Sequence, residues 1–442
     1  MPDGRRPVAV PITNRRVLAI AGPIVVSNAT IPLLGAVDTA VVGQLGLAAP
    51  IGAVGLGAIV LTSIYWIFGF LRMGTTGMVA QARGAGEAGE TGALLMRALI
   101  VGIGAGLVFV LAQGAVFWAA FSLAPASPEV EGLARTYLSI RIWGAPAAIS
   151  LYALTGWLIA MERARGVLVL QLAMNGLNAL LAFLFVLGLG WGVPGVATAT
   201  LIAEWTGFAL GLWLCRAAFA GAQWRNWGRV FDPARLRRMA QVNGDILIRS
   251  VILQASFTGF LFFGAGLGDV TLAANQVLLQ FLSFTAYALD GFAFAAEALV
   301  GQAFGRRARS AVRRAALLSS AWAVGSSIVL ALAFLLLGPA IVDLMTTAPD
   351  VRAEARGYLP WLAAAPLVGI AAWMLDGIFI GATETRAMRN AAILSVAVYA
   401  GAVALLLPPY GNHGLWAALM ILNATRGVTL ALRYPALEAR AA

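Results

Sequence analysis

The sequence predicts an all-α, polytopic membrane protein of twelve transmembrane helices in two pseudo-symmetric six-helix bundles. Three observations predict this fold: an unusually apolar composition, a series of long apolar segments, and an internal repeat. Of the 442 residues, 61% are hydrophobic and only 11% are charged, whereas a soluble domain carries about 25% charged residues. Because so few charges cannot cover the surface of a water-soluble protein, we expect lipid to be the solvent of this chain.

Long apolar segments define the predicted helices, since about 20 apolar residues are needed to cross a bilayer. They lack the period-two alternation of strands in a membrane barrel. A polar segment, GAQWRNWGRVFDPARLRRMAQ, separates six of them from the other six. The predicted domains are a bundle at residues 1–217, a cytoplasmic linker at 218–241 and a second bundle at 242–442. The twelve helices are predicted near 17–42, 51–80, 94–121, 132–159, 167–189, 194–217, 244–266, 271–302, 314–338, 351–380, 387–408 and 413–433.

The chain matches itself at one fixed separation. VAQARG, which ends at Gly84, matches VGQAFG, which ends at Gly305 (305 − 84 = 221). At the same separation, SPEVEGLARTYL matches APDVRAEARGYL, and GWLIAMERAR matches GIFIGATETR. Six helices are an even number, so both halves should insert in the same orientation. They would then be related by an axis along the membrane normal, with a substrate path between them.

The polar residues exclude several classes of protein. All 30 basic residues are arginine, and the net charge is +11. The arginines lie mostly between apolar segments on one side, which predicts an inner-membrane protein with both termini in the cytoplasm. We therefore expect no nucleic-acid partner. With no lysine, one cysteine (Cys215) and one histidine (His413), the chain offers no phosphate-binding loop, disulfide or cysteine metal site. We expect neither enzymatic activity nor a metal or organic cofactor.

Ionisable residues inside the predicted helices are candidates for function. Each costs about 2.5–3.5 kcal/mol near the centre of a membrane helix on insertion scales. We predict that Asp245 and Arg249 lie near a helix start and that Arg141 lies near the interface. The candidates within the spans are Asp38, Arg72, Glu204, Asp290, Glu297 and Asp376.

Asp38 is the strongest candidate in the first half. It lies six residues after Pro32, and a proline inside a helix can bend it. A carboxyl group held away from water favours its protonated form, so it can take up a proton and release it when water or a cation arrives. The alternative is a permanent ion pair with an arginine such as Arg72.

Two further helices carry polar faces that could meet this carboxyl group. Asn175, Asn178 and Ala182 share one face of the fifth helix, and Thr200 and Glu204 share one face of the sixth. Their oxygens could accept a hydrogen bond from the protonated acid or bind a small cation. The alternative is that these residues only hold neighbouring helices together.

The second half carries its own acids. Asp290 and Glu297 are seven residues apart on one helix, which places them on one face about 10 Å apart. With Asp376, and with Arg72 from the first half, they are candidates for lining a substrate cleft that accepts a cation. Ordinary pairing with arginines at helix ends is the alternative.

Three motifs resemble one transporter family. DTAVVGQLG at 38–46, FLRMGTTGMVAQARGAG at 70–86 and LDGFAFAAEALVGQAFG at 289–305 look like the multidrug and toxic compound extrusion (MATE) transporters, especially the DinF-like (DNA-damage-inducible) branch. The resemblance implies two six-helix bundles, a V-shaped central cleft and alternating access. It implies that Asp38 is the coupling residue, accompanied by Asn178 and Thr200. The sequence departs from the family at Ala182, where relatives often carry Asp or Asn, and this weakens a sodium site.

The function that we predict is export of amphipathic, cationic organic compounds in exchange for protons, by a monomer embedded in the bilayer. A sodium-coupled exporter of the same fold is one alternative. A flippase for lipid-linked substrates is another, although several cations would be expected in its cavity. A membrane-embedded enzyme is disfavoured, because the chain lacks a histidine-rich cluster or a nucleophile–base pair.

Overall fold

A computed structural model of the chain describes residues 11–123 and 126–442, without the side chains of residues 31–34, 36 and 223. The described residues form helices joined by short turns, and no strand occurs among them. Ten helical spans of this described part are long and apolar enough to cross a membrane. Two further spans become visible once a break and a kink in the backbone are taken into account, so the predicted count of twelve is confirmed.

The helices of the first half begin and end close to the predicted boundaries. They are α1 (Asn14–Ala29), α2 (Ile31–Gly43), α3 (Ala48–Ile67), α4 (Gly69–Gly84), α5 (Ala88–Leu111), α6 (Gln113–Leu123), α7 (Pro128–Arg141), α8 (Ala145–Ala160), α9 (Ala164–Phe183) and α10 (Gly192–Leu214). Two pairs of these helices each make up one membrane span. They are α3 with α4, and α7 with α8, and each pair forms a single apolar segment.

The second half is built from fewer, longer helices. They are α11 (Trp227–Val230), α12 (Pro233–Ala265), α13 (Asp269–Gly305), α14 (Arg309–Met345), α15 (Pro349–Gly381) and α16 (Thr385–Ala439).

Two irregularities account for the two spans that are not among the ten long apolar segments. The first span is interrupted at Thr30, between α1 and α2. The side chain of Pro32, which we predicted to bend this helix, lies outside the described residues. At the other end of the chain, the 55-residue helix α16 contains a non-helical residue, Gly411 (φ 53°, ψ −132°). That kink divides α16 into the last two spans.

The chain forms two compact units that are interleaved in sequence. The first unit contains Val26–Val79 and Glu87–Arg237, and the second contains the described residues up to Val25, Ala80–Gly86 and Arg238–Ala442. In the second unit, the tightly packed core includes Phe260, which stacks edge to face on Trp416 at 5.2 Å between ring centroids. The predicted domain boundaries at 217 and 242 stay a prediction.

The backbone itself repeats at the separation seen in the sequence. Left-handed residues end helices at Glu162 (φ 57°) and Thr383 (φ 53°), which are 221 residues apart (383 − 162 = 221). Gly86 and Arg307 form a second such pair (307 − 86 = 221). At Glu162 and Thr383 the following amide donates to the carbonyl five residues earlier, the Schellman arrangement that closes a helix. Because a left-handed backbone is unfavourable for residues other than glycine, its recurrence indicates that both halves inherited the same helix ends.

Glycines at equivalent positions allow a close helix crossing in the second unit. A Cβ atom added at Gly84 would lie 2.1 Å from the carbonyl oxygen of Gln302, and one added at Gly305 would lie 2.1 Å from that of Gln81. Gln81 and Gln302 are again 221 residues apart (302 − 81 = 221). The two helix ends therefore touch through their backbones, and no side chain fits between them.

Gly305→Ala is expected to destabilise the protein by about 1–3 kcal/mol, because the added methyl group must push two backbones apart. The matched control is Gly325→Ala in α14, where an added Cβ meets nothing within 4 Å. That substitution should be neutral or stabilising by about 0.5–1 kcal/mol, since alanine favours the helix. Thermal unfolding of the purified variants in detergent measures the difference, and equal midpoints for both would contradict the close crossing.

The polar segment between the halves is more helical than predicted. We expected the seventh span to begin near residue 244, but α12 begins at Pro233. Asp232 caps it, since its carboxylate accepts a hydrogen bond from the amide of Arg235 at 2.9 Å. An acidic cap followed by proline is a common start of a helix, so the segment FDPAR at 231–235 already indicated a helix start in the sequence.

The same segment is tied to the first unit by a buried arginine. Arg97 donates to the carbonyl oxygens of Val230 (2.8 Å) and Arg229 (2.7 Å) and to the carboxylate of Glu90 (2.7 Å). Glu90 also pairs with Arg235. Because these contacts satisfy the carbonyls at the end of α11, the segment is a packed part of the unit.

Candidate functional site

Asp38 and Asn178 meet in the interior of the first unit. Asp38 lies on α2 and Asn178 on α9, and both are buried, with exposed fractions of 7% and 1%. The side-chain amide of Asn178 donates to a carboxylate oxygen of Asp38 at 2.9 Å. The hydroxyl group of Thr200, on α10, lies close enough to interact with the same carboxylate. The structure therefore brings three of the five predicted coupling residues together.

The partners of Asp38 can serve a neutral acid as well as a carboxylate. The hydroxyl group of Thr200 donates to the carbonyl oxygen of Val196 at 3.0 Å, so its lone pairs can accept a hydrogen bond from a protonated carboxyl group. The amide oxygen of Asn178 is buried and has no hydrogen-bond partner. A buried acceptor without a partner is uncommon, and it gives the site a place for a further donor.

Asn175 lies next to the break in the first span. Its side-chain amide donates to the hydroxyl oxygen of Thr30 at 3.0 Å and to the backbone carbonyl of the same residue at 3.3 Å. Thr30 itself donates to the carbonyl oxygen of Ser27 at 2.7 Å. Asp38 is eight residues further along the chain, about 12 Å away in helical rise. Asn175 therefore holds the helix break, whereas Asn178, one turn later, holds the carboxylate.

Glu204 forms a buried ion pair with Arg141. Two nitrogens of the Arg141 guanidinium donate to the two carboxylate oxygens of Glu204, at 2.7 Å and 3.0 Å. Such paired, parallel bonds are strong and geometrically specific. Arg141, which we predicted near the interface, is the last of the 14 residues of α7 and is buried; its depth in the membrane stays a prediction. Its charge is needed there because Glu204 is buried too.

A glycine makes room for this ion pair. A Cβ atom at Gly144, just after α7, would lie 2.1 Å from a carboxylate oxygen of Glu204 and 3.4 Å from a guanidinium nitrogen of Arg141. The short turn at Ile142–Gly144 therefore brings backbone against the carboxylate.

A cavity of about 220 Å³ adjoins these groups within the first unit. Besides Asn178, Thr200 and the ion pair, its wall includes Tyr65 and Tyr152. The hydroxyl group of Tyr65 is buried without a hydrogen-bond partner. Pockets for drug-sized ligands usually measure about 300–1,000 Å³, so in this conformation the cavity is large enough only for water or for one end of such a molecule.

The tyrosines of this cavity were not among the predicted site residues. Tyr65 falls in an apolar segment of α3, where an aromatic residue usually signals only core packing. What distinguishes it is a buried hydroxyl group with no partner, and that is a property of the packed helices.

Asp376, in the second unit, is held between two arginines. Arg249 of α12 pairs with it, and the Nε atom of Arg426 on α16 lies 3.6 Å from the same carboxylate oxygen. The prediction that Arg249 lies near a helix start was wrong, because α12 begins at Pro233, 16 residues earlier (249 − 233 = 16). Asp376 is thus paired with an arginine, as one alternative predicted, but this arginine lies in the middle of a helix and not at its end.

The two remaining acidic cleft candidates of the second unit occupy one helix. Asp290 and Glu297 lie on α13, where Asp290 is half-buried and Glu297 is buried. Asp245 lies on α12 and accepts hydrogen bonds from Arg389 at 2.6 Å and from Thr385 at 3.1 Å.

Arg72 belongs to the first unit. It is buried in α4, and its backbone carbonyl lies 2.5 Å from where a Cβ at Gly156 would be. The predicted cleft residues are thus divided between the units, with Arg72 in one and the three acids in the other.

Twelve membrane spans with buried carboxylates define a polytopic membrane protein of the kind that moves solutes. The MatE family model matches residues 23–184 and 246–405. The chain is 38% identical over 420 residues to the DNA damage-inducible protein F of Escherichia coli (strain K12), which covers 93% of this chain and 90% of the relative. The chain therefore belongs to the MatE family, a family of transporters and not of enzymes.

Two further comparisons agree with this assignment. The probable multidrug resistance protein NorM of Synechocystis sp. is 28% identical over 331 residues, 70% of this chain and 68% of the relative. The crystal structure of MATE in the bent conformation is similar with a TM-score of 0.86 at 20% identity, covering 97% of this chain and 96% of that chain. The resemblance to MATE transporters and to the DinF-like branch is confirmed.

Proposed function

We propose that this protein exports amphipathic, cationic organic compounds in exchange for protons by alternating access, and that Asp38 carries the proton. The observation that carries the proposal is a buried carboxyl group that accepts a hydrogen bond from the Asn178 amide and lies near the Thr200 hydroxyl group, beside a cavity. Relatives named as multidrug resistance proteins support the substrate class. The nearby acid Glu204 is neutralised by Arg141, so the variable charge of this site is that of Asp38.

Proton and substrate would compete for this charge. Arg141 and Glu204 both interact electrostatically with Asp38, but their opposite charges largely cancel. When Asp38 is ionised, the site carries one negative charge and attracts a cation. When Asp38 binds a proton, that attraction ends and the cation is released. The rings of Tyr65 and Tyr152 would favour a substrate that is both cationic and apolar.

Movement of the first span would couple the proton to access. The helix breaks at Thr30, where Asn175 binds the exposed carbonyl, and Asp38 follows two turns later. One related structure is described as MATE in the bent conformation. We propose that the protonation state of Asp38 selects between two bends of this helix, because the hydrogen bonds to Asn178 and Thr200 change with the proton.

The side chains around Asp38 favour a proton over sodium as the coupling ion. Sodium binds through oxygen ligands, but Asn178 presents its N–H group to Asp38. Ala182, one turn further along α9, is buried and provides no oxygen. A sodium site would have few side-chain oxygens beyond the Asp38 carboxylate and the unpartnered amide oxygen of Asn178, so water would have to supply further ligands.

Transport in proteoliposomes tests the proposal. Purified protein is reconstituted with a fluorescent cationic dye inside, and a pH gradient or a sodium gradient is imposed separately. Proton exchange predicts dye efflux with the pH gradient alone. Efflux with the sodium gradient alone would replace proton coupling by sodium coupling at the same oxygens. Absence of efflux under both gradients would count against a dye-like substrate and favour a flippase.

We also propose that the protein is a monomer of the inner membrane with both termini in the cytoplasm. Arginines concentrate at 216–238 and 306–314 and near the C-terminus, as the positive-inside rule requires for cytoplasmic segments. An alkaline phosphatase fused after Ala442 should then be inactive, and a green fluorescent protein there should fluoresce. The opposite pair of results would reverse the orientation.

A further inference from the structure

A groove at the arginine-rich end of the second unit combines charge with an apolar floor. It has a volume of about 470 Å³ and is lined by residues of α14, α15 and α16. Its lining includes the charged side chains of Arg309 and Arg313 and the apolar side chains of Leu317, Leu375 and Ile378. None of these residues belongs to the site around Asp38, which lies in the other unit.

Spacing along α14 places the two arginines at one end of this helix face and Leu317 further along it. Arg309, Arg313, Leu317 and Ser320 line the groove, and steps of three or four residues place them on one face of the helix. From Arg309 to Ser320 the helix rises about 16 Å. Leu317 is 60% exposed, so the apolar part of the groove opens to the surroundings of the helix, which in a membrane span are acyl chains.

The charge of the groove is positive. Arg309 contacts Glu438 at 3.1 Å through its Nε atom, which leaves its two terminal nitrogens for another acceptor. Arg313 is exposed, and its charge acts on Tyr434 in the same groove. Two arginines against one carboxylate leave a net charge of +1 beside an apolar floor.

From this arrangement we propose that the groove binds an anionic phospholipid, with the phosphate at Arg309 and Arg313 and an acyl chain along Leu317 and Leu375. Basic pockets between membrane helices at the arginine-rich side are suited to anionic headgroups. The groove residues suit such a lipid, since the arginines can bind its charged headgroup and the apolar side chains can contact its acyl chain. A lipid held there would bridge α14, α15 and α16.

Native mass spectrometry of delipidated protein, titrated with phosphatidylglycerol and separately with phosphatidylcholine, tests the proposal. The native chain should retain one phosphatidylglycerol tightly and bind phosphatidylcholine weakly. Arg309→Gln/Arg313→Gln should weaken phosphatidylglycerol binding about 30-fold, because each arginine near a membrane surface contributes about a factor of five. The matched control is Arg314→Gln/Arg433→Gln, which removes the same charge outside the groove and should change binding less than about threefold.

A second variant tests the acyl-chain position without changing charge. Ser320→Phe fills the apolar part of the groove and should also weaken phosphatidylglycerol binding. Equal losses in the two double variants would overturn the proposal in favour of diffuse surface charge. Displacement of the lipid by millimolar glycerol phosphate, or unchanged binding by Ser320→Phe, would show a site for a free phosphate group and overturn the lipid assignment.

Discussion

Asp38→Asn should abolish dye efflux driven by a pH gradient, down to the rate of liposomes without protein. Asparagine keeps the shape of the side chain and its hydrogen bond with Asn178, but it cannot bind and release a proton. The carboxyl group is buried, and the neutral variant removes a cost of burial, so the protein should fold and insert normally. Efflux in proteoliposomes and the thermal unfolding midpoint measure the two effects separately.

The matched control for this variant is Asp269→Asn. Asp269 is an exposed acid in the first turn of α13, so the change removes the same charge outside the site. Efflux by that variant should equal efflux by the native chain. If Asp38→Asn still coupled efflux to the pH gradient, another group would have to carry the proton, and the role proposed for Asp38 would be wrong.

Breaking the ion pair between Arg141 and Glu204 should have the largest effect on stability. Arg141→Met leaves the carboxylate of Glu204 buried without its counter-charge, and removal of one partner of a buried pair costs about 3–5 kcal/mol. Arg141→Met/Glu204→Leu removes both charges and should recover most of that loss. Thermal unfolding in detergent, for both single variants and the double variant, gives the interaction energy between the two residues.

The same helix offers a matched control. Arg135 pairs with Glu131 at 2.7 Å on the exposed side of α7, and exposed pairs of this spacing contribute about 0.3–0.5 kcal/mol. Arg135→Met should therefore change stability little. Equal destabilisation by Arg135→Met and Arg141→Met would show that burial of the second pair does not matter, contrary to the structure.

The double variant also separates a structural role from a role in transport. If the pair serves only to neutralise charge near Asp38, Arg141→Met/Glu204→Leu should retain pH-driven efflux once it is stable. Loss of efflux in a stable double variant would instead place the pair in the coupling reaction.

The membrane spans and the duplication could be predicted from the amino-acid sequence, and the family resemblance added the pairing of Asp38 with Asn178. Whether a segment enters lipid depends on its own summed transfer free energy, which is a local property of the chain. The repeat is visible because segments near the equivalent helix ends kept similar residues. The left-handed backbone recurs even where the residue itself changed, as at Glu162 and Thr383. Asp38 and Asn178 could be paired in advance because the family resemblance placed both in one site.

The ion-pair partners of the other buried acids could not be predicted from the sequence and became known only from the packed helices. Glu204 was expected to face Asp38 with Thr200, but its carboxylate binds Arg141, 63 residues earlier in the chain. In the same way Asp376 binds Arg249. We had predicted Arg249 near a helix start, because the true start of α12 at Pro233 was missed. Which ion pair forms depends on the rotation and depth of each helix relative to its neighbours. Those quantities come from the packing of many side chains, whereas hydropathy reports only that a segment is in the membrane.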